Sequence, residues 1–169
     1  KRKISDAGIP YVIPDTEMLP DRTQAVLAVI YLIFNAGYTG ASAGQATLCD
    51  EAIRLARIFH SLMPDDTEVA GLLALMLLHD ARRIARHNAT GAMVPLSAQN
   101  RARWDRAKIA EGDAILRVTL PKGRIGPYQL QAAISGLHGQ SAAWDDTDWV
   151  EIAGLYELLY RIQPSPVVR

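Results

Sequence analysis

The sequence predicts an all-α fold built from stacked antiparallel helical hairpins. Three observations lead there. Apolar residues recur three and four apart in six separate segments, which is the period of a helix with one buried face. Pro, Gly or Asp-Thr clusters punctuate those segments where helices start and stop. The apolar material is rich in Ala and Leu, and only 7% of residues are aromatic. At 169 residues, with 49% hydrophobic and 21% charged, the chain suits one globular domain or a short run of helical repeats.

Residues 1–19 carry Gly8, Pro10 and Pro14 and too few periodic apolar positions for a helix, so an extended linker is expected there. The helical domain is expected over residues 20–169. Pro20 fits a first helical turn, and Ala25, Val26, Val29, Ile30, Ile33 and Phe34 follow at helical spacing up to about Gly37. A loop is expected over residues 38–45. Leu48, Ala52, Ile53, Leu55, Ala56, Phe59 and Leu62 mark a second helix, closed by Pro64. Asp65 with Glu68 three residues on forms a capping-box signal for a third helix, expected to run to about His87. Its stretch over residues 69–78 is apolar on every side, which implies neighbours on both flanks.

Residues 88–99 read as a loop with a brief strand-like excursion at Met93 to Leu96. A fourth helix is expected over residues 101–119, with Gly112 in its middle at a cost of about 1 kcal/mol relative to Ala. Pro127 opens a fifth helix through Leu130, Ala133, Ile134 and Leu137 to His138-Gly139. The Asp145-Asp146-Thr147-Asp148 run offers N-cap oxygens to a sixth, bearing Trp149, Ile152, Leu155, Tyr156 and Leu159 and stopped by Pro164. Trp149, Ile152, Ala153 and Tyr156 also match half of the tetratricopeptide pattern in degenerate form, and Ala52, Phe59 and Pro64 match part of the other half.

Eighteen basic and eighteen acidic residues cancel, so no global positive field draws the molecule to nucleic acid. The lone Cys49 excludes an intramolecular disulfide framework and fits a reducing cytoplasm. No apolar run approaches the roughly 20 residues of a membrane span, and no signal peptide opens the sequence. The absent initiator Met suggests a piece of something longer.

His79-Asp80 is the most chemical-looking pair. Adjacent His and Asp on a helix, with His60 upstream and Asp113 or Asp148 downstream, suggest an HD-type metal-dependent phosphohydrolase. The competing reading pairs Asp80 with Arg83 or Arg103 at the end of a buried helix. Arg82, Arg83, Arg86, Arg101, Arg103, Arg106 and Lys108 make a locally basic stretch, either a face for an acidic partner or phosphate backbone or a solvated, internally neutralised surface. Trp104, Trp149, Tyr128 and Tyr156 read as packing residues, and His138 as a partner for the last carbonyls of its helix. Gly37-Tyr38-Thr39-Gly40 lacks the strand and Lys of a phosphate loop, and no Ser elbow or Cys-His pair is present.

Longer blocks carry a family resemblance. Gly8-Ile9-Pro10-Tyr11, the run from Ala25 to Asn35, Gly37-Tyr38, Glu51-Ala52-Ile53-Arg54-Leu55-Ala56-Arg57 and the run from Gly71 to Arg83 appear in order. Arg103-Trp104-Asp105, Ile109-Ala110-Glu111-Gly112, the run from Gly126 to Ile134, Thr147-Asp148-Trp149 and Ser165-Pro166-Val167-Val168 follow. Together they resemble the C-terminal extension of one group of extracytoplasmic-function (ECF) RNA polymerase sigma factors, over nearly the whole chain. The resemblance implies a tetratricopeptide-like array that follows the two sigma regions, continues into further repeats beyond residue 169, and controls sigma activity through protein contacts. It implies no catalytic residue.

A cytoplasmic regulatory interaction domain for transcription initiation is therefore expected, without enzymatic activity, cofactor, metal or small-molecule substrate. Its expected partners are its own sigma regions, the RNA polymerase core or a regulatory protein, with promoter DNA touched only by the sigma regions. The candidate surface is Asn35, Tyr38, His79, Arg83, Arg103, Trp104, Tyr128 and Gln131, polar or aromatic residues at the ends of apolar helices. The alternatives are the HD hydrolase and a free-standing helical-repeat peptide-binding scaffold.

Overall fold

A computed structural model describes residues 15–39 and 43–164. The fold is all-α. A short 3-10 turn at Thr16–Met18 leads into α1 (Leu19–Tyr38), followed by α2 (Ala43–Leu62), α3 (Thr67–Asp80), α4 (Arg106–Thr119), α5 (Pro127–Gln140) and α6 (Trp149–Ile162). The only β pairing among the described residues is an isolated bridge between His87 and Met93, the remnant of the expected strand-like excursion. Most of the expected linker, residues 1–14, lies outside the described residues.

Contacts between helix ends give the direction in which each helix runs. Thr23 near the start of α1 donates to the Met63 sulfur just past α2, while Cys49 near the start of α2 reaches the Phe34 carbonyl late in α1. These two helices are therefore antiparallel. The end of α3 meets the start of α4 through Asp80 and Lys108, and the end of α5 meets the start of α6 through His138 and Trp149. By contrast, Glu68 and His79 of α3 meet Tyr128 and Ser135 of α5 in the same order, and Tyr38 ends α1 beside His79. So α1, α3 and α5 run in one direction side by side, each followed by its returning partner.

Helix α3 occupies the centre, packed on α1, α2, α4 and α5. Its all-round apolarity has a direct cause: it serves two cores at once. Leu72, Leu73, Met76 and Leu77 join Leu27, Ile30, Phe34 and Ile53 between α3 and the first hairpin. Ala74, Leu75 and Leu78 join Ile109, Leu116, Ala132 and Trp104 on the other side. Gly112 stands where Leu78 crosses α4; a Cβ there would lie 2.9 Å from the Leu78 Cγ, so the helix-weakening residue is what permits the close approach.

Several boundaries differ from the sequence expectation. Tyr38 is helical, and α2 starts at Ala43, so the expected loop at 38–45 is shorter. The cap of α3 is Asp66, whose carboxylate accepts from the Glu68 and Val69 N–H groups, and not Asp65. Glu68 is thereby released for a longer reach. Its two oxygens accept from the Tyr128 and Gln129 N–H groups, both at 3.0 Å, and so cap α5 from a different hairpin. Gly126, the residue before α5, leaves the room for it: a Cβ there would fall 2.3 Å from the Glu68 carboxyl carbon.

Helix α3 stops at Asp80, seven residues before the expected end, because the chain tightens into a 3-10 turn at Arg83–Ala85 and the Ala81 carbonyl accepts from the Asp105 N–H at 2.9 Å instead of continuing a helical ladder. Likewise α4 begins at Arg106 and not Arg101, since Asp105 caps it through the Ala107 and Lys108 N–H groups.

Candidate interaction groove

Tyr31, Phe34 and Tyr38 lie three and four residues apart on α1 and so share one stripe. Tyr31 stacks on Phe34 and Phe34 on Tyr38, with ring centroids 6.5 and 5.3 Å apart. The stripe continues across helices: Tyr38 stacks on the His79 ring at 5.4 Å, and Tyr31 meets Tyr128 edge-on at 5.6 Å. Arg86 lies 3.4 Å above the Tyr38 ring centre and donates to the Tyr38 carbonyl, while Arg82 donates to the Tyr38 hydroxyl at 3.2 Å.

His79 is held neutral. The Ser135 hydroxyl donates to the Gln131 carbonyl, which leaves its oxygen to accept from the His79 Nε2–H at 3.0 Å and assigns the tautomer. Burial first, then the charges of Arg82 and Arg86, lower its pKa to about 3.

On the far side of this seam is a groove of about 560 Å³. Gln24 and Tyr31 of α1, His79 of α3, and Tyr128, Gln131 and Ser135 of α5 line it. Tyr156 and Leu159 of α6, with Gln163 just past it, complete the lining. Among the described residues, no Asp, Glu, Lys or Arg lines it.

The structure therefore gathers part of the expected surface. His79, Tyr128 and Gln131 line the groove, Tyr38 stacks behind His79, and Asn35 bonds the side chain of Tyr31. Three expected members do not join them. Arg83 bridges Asp50 and Asp80, with one contact of 2.6 Å to each, and its role is to hold α2 to α3. Trp104 is 3% exposed, beneath Arg82 and Arg101, and offers no surface to a partner. Arg103 is exposed on the 3-10 turn at Arg101–Arg103, away from the groove. Gln24, Ser135, Tyr156 and Gln163 complete the site and were not expected; their only signal was a polar or aromatic residue on an otherwise apolar helix.

The HD-type arrangement does not form. Asp80 takes Arg83 on one oxygen and Lys108 on the other, while His79 faces Ser135 on the opposite side of α3. His60 lines a separate groove between α2 and α4 beside Arg57 and Glu111, which pair with each other. Among the described residues no three His, Cys, Asp or Glu side chains are placed to hold a metal ion. Of the two expected partners of Asp80, Arg83 is present, and Lys108 takes the place assigned to Arg103.

The basic stretch also has internal work. Arg101 is buried and donates to the His138 and Ser141 carbonyls and to Thr147, so it ties off the end of α5. Arg106 donates to the Gly139 carbonyl in the same turn. His138 does not cap its own helix: its ring stacks on Trp144 and meets Trp149 edge-on. Burial, then Arg82 and Arg101, lower its pKa to about 4.

Residues 22–120 match the model of a family of unknown function, DUF6596. The chain belongs to that family. The DUF6596 match starts within α1 and ends just past α4, so α5 and α6, which supply most of the groove, lie beyond it. Similarity itself extends further. Uncharacterized protein R00370 of Rhizobium meliloti (strain 1021) is 46% identical over 171 residues, covering 99% of this chain. The chain spans 40% of that protein's length. No solved structure matches.

Proposed function

We propose that this DUF6596 chain is the regulatory protein-interaction domain of an ECF-type RNA polymerase sigma factor, acting in transcription initiation as part of a longer protein. The observation that carries the reading is the open, uncharged groove framed by α1, α3, α5 and α6, a built recognition surface with polar groups and no assembled nucleophile, acid-base pair or metal cradle among its lining residues. The ordered sequence blocks resembling the sigma-factor extension add to it. So does the parallel run of α1, α3 and α5 with returning partners, which is the arrangement a tetratricopeptide-like array uses to form a concave binding face.

Helix α6 supports a place inside a larger assembly. Only Ile152 and Leu159 are buried on it, while Val150 is 85% exposed and Leu158, Tyr160 and Ile162 are also open. In the proposed mechanism the groove grips the sigma regions, the polymerase core or a regulatory protein, and shifts the population of the transcription-competent state by its differential affinity for it.

Run-off transcription from a cognate promoter, driven by the sigma regions carrying or lacking this domain, tests the reading. Output that changes on removal is the expected result. Equal output from the two forms, under inducing and non-inducing conditions, would contradict it; a groove that binds peptide under that outcome would mark a free-standing scaffold.

A further inference from the structure

Tyrosine and glutamine come to the groove in three pairs: Gln24 and Tyr31 from α1, Tyr128 and Gln131 from α5, and Tyr156 of α6 with Gln163 just past its end. Gln24 and Tyr31 are seven residues apart on α1 and Tyr128 and Gln131 three apart on α5, so each of these pairs falls on one helical face, while Gln163 is the capping residue at the end of α6. The polar groups are available. The side-chain amides of Gln24 and Gln163 make no hydrogen bond to any described residue, and both residues are exposed. Gln131 uses only its Nε2, toward the Pro127 carbonyl at 3.1 Å, which leaves its Oε1 free to accept. Burial raises the pKa of the Tyr31 and Tyr128 hydroxyls, so both stay protonated, the Tyr31 hydroxyl being engaged with Asn35.

We propose that the groove binds an extended, uncharged peptide segment with proline or aliphatic side chains, its main chain paired by the three glutamine amides and its rings laid on the three tyrosines. The inference rests on the groove being a protein-contact surface, and names what it recognises. An amide side chain is both donor and acceptor and so matches the peptide unit, whose N–H and C=O alternate along an extended chain. Tyrosine faces provide contact area at low entropy cost and are the surfaces on which proline-rich segments dock. Charge decides against the other peptide classes. With no lysine or arginine in the lining and His79 locked neutral, an acidic segment would lose its hydration with nothing to replace it, and the same holds for a basic one without a carboxylate. The 560 Å³ volume lies within the roughly 300–1,000 Å³ of ordinary ligand sites.

The test uses three pools of capped decapeptides, proline-containing and randomised over uncharged residues, over uncharged residues plus Asp and Glu, or over uncharged residues plus Lys and Arg. Binding to the whole domain is followed by amide NMR shifts and fluorescence anisotropy. The expected result is preference for the uncharged pool, shifts centred on the side-chain amides of Gln24, Gln131 and Gln163, and affinity that changes less than about twofold between low and high salt. The double variant Gln24→Glu with Gln163→Glu alters two exposed positions, so it keeps the fold. It is expected to weaken the uncharged pool by about tenfold or more and to favour the basic pool. Stronger binding of a charged pool to the native domain, shifts centred elsewhere, or no binding by any pool would overturn the inference. A domain that binds no pool yet alters run-off transcription would overturn it while leaving the regulatory reading intact.

Discussion

At the scale of single residues, the Glu68 carboxylate does something that spacing along one helix cannot reveal: it caps α5 across hairpins, in the space Gly126 leaves open. Gly126→Ala should push that carboxylate aside and Glu68→Ala should delete it, each costing about 1–2 kcal/mol of unfolding free energy by urea titration. The two substitutions remove the same interaction, so the double variant should cost little more than either single one; full additivity would contradict the assignment. Gly44→Ala, at a helical position with nothing within 4 Å, provides the contrast and should stabilise by up to about 1 kcal/mol.

The two partly buried imidazoles set a pH dependence. Folding lowers the pKa of His79 to about 3 and of His138 to about 4, so below about pH 6.5 the unfolded chain binds protons that the folded chain refuses. Their stabilising contribution is complete above pH 6.5 and is lost as pH falls from there towards 4. Between pH 7.5 and pH 5 this amounts to up to about 2 kcal/mol for each imidazole. Asp50, held below the usual carboxylate range by its hydrogen bond to Arg83, stays ionised throughout that interval. A urea midpoint that falls between those pH values, and falls less in His79→Asn, is the expected outcome; an unchanged midpoint would show that the rings take up protons in the folded state.

At the scale of elements, α3 decides whether the hairpins hold together. Leu72 serves the first core and Leu75 the second, both fully buried, so Leu72→Ala and Leu75→Ala should each cost about 2–5 kcal/mol, whereas Val150→Ala on the open face of α6 should stay within about 0.5 kcal/mol. Calorimetric or urea unfolding of the three variants checks the ranking.

The central position of α3 was legible in the sequence, because a short helix apolar on every side has to have neighbours on every side. Its end was not. The residues from Ala81 to Arg86 keep good helical propensity, and what stops the helix is tertiary: Arg83 turns to Asp50 and Asp80, and the Ala81 carbonyl is taken by Asp105. Asp80 is 1% exposed at its side chain and joins Arg83 and Lys108; Asp80→Ala removes both links while Arg83 keeps Asp50, and should cost about 1–3 kcal/mol.

At the scale of the whole molecule, function depends on what the stack brings together. Gln24 and Gln163 stand near opposite ends of the described chain and line one groove because α6 folds back antiparallel on α5. Helical spacing gave the faces of each helix separately, and so found Tyr128, Gln131 and His79 as polar interruptions of apolar stripes. It could not tell which interruptions share a surface. Trp104 and Arg83 carry the same pattern in sequence, yet the first is packed inside and the second is spent on ion pairs.

The most direct measurement is run-off transcription by polymerase with the sigma regions joined to the native domain, to a Tyr128→Ala, Tyr156→Ala variant, or to no domain. The groove variant is predicted to behave like the form lacking the domain, with its helical circular dichroism retained. Native-like output from the groove variant, beside altered output on deletion, would place control elsewhere on the molecule and contradict the central claim.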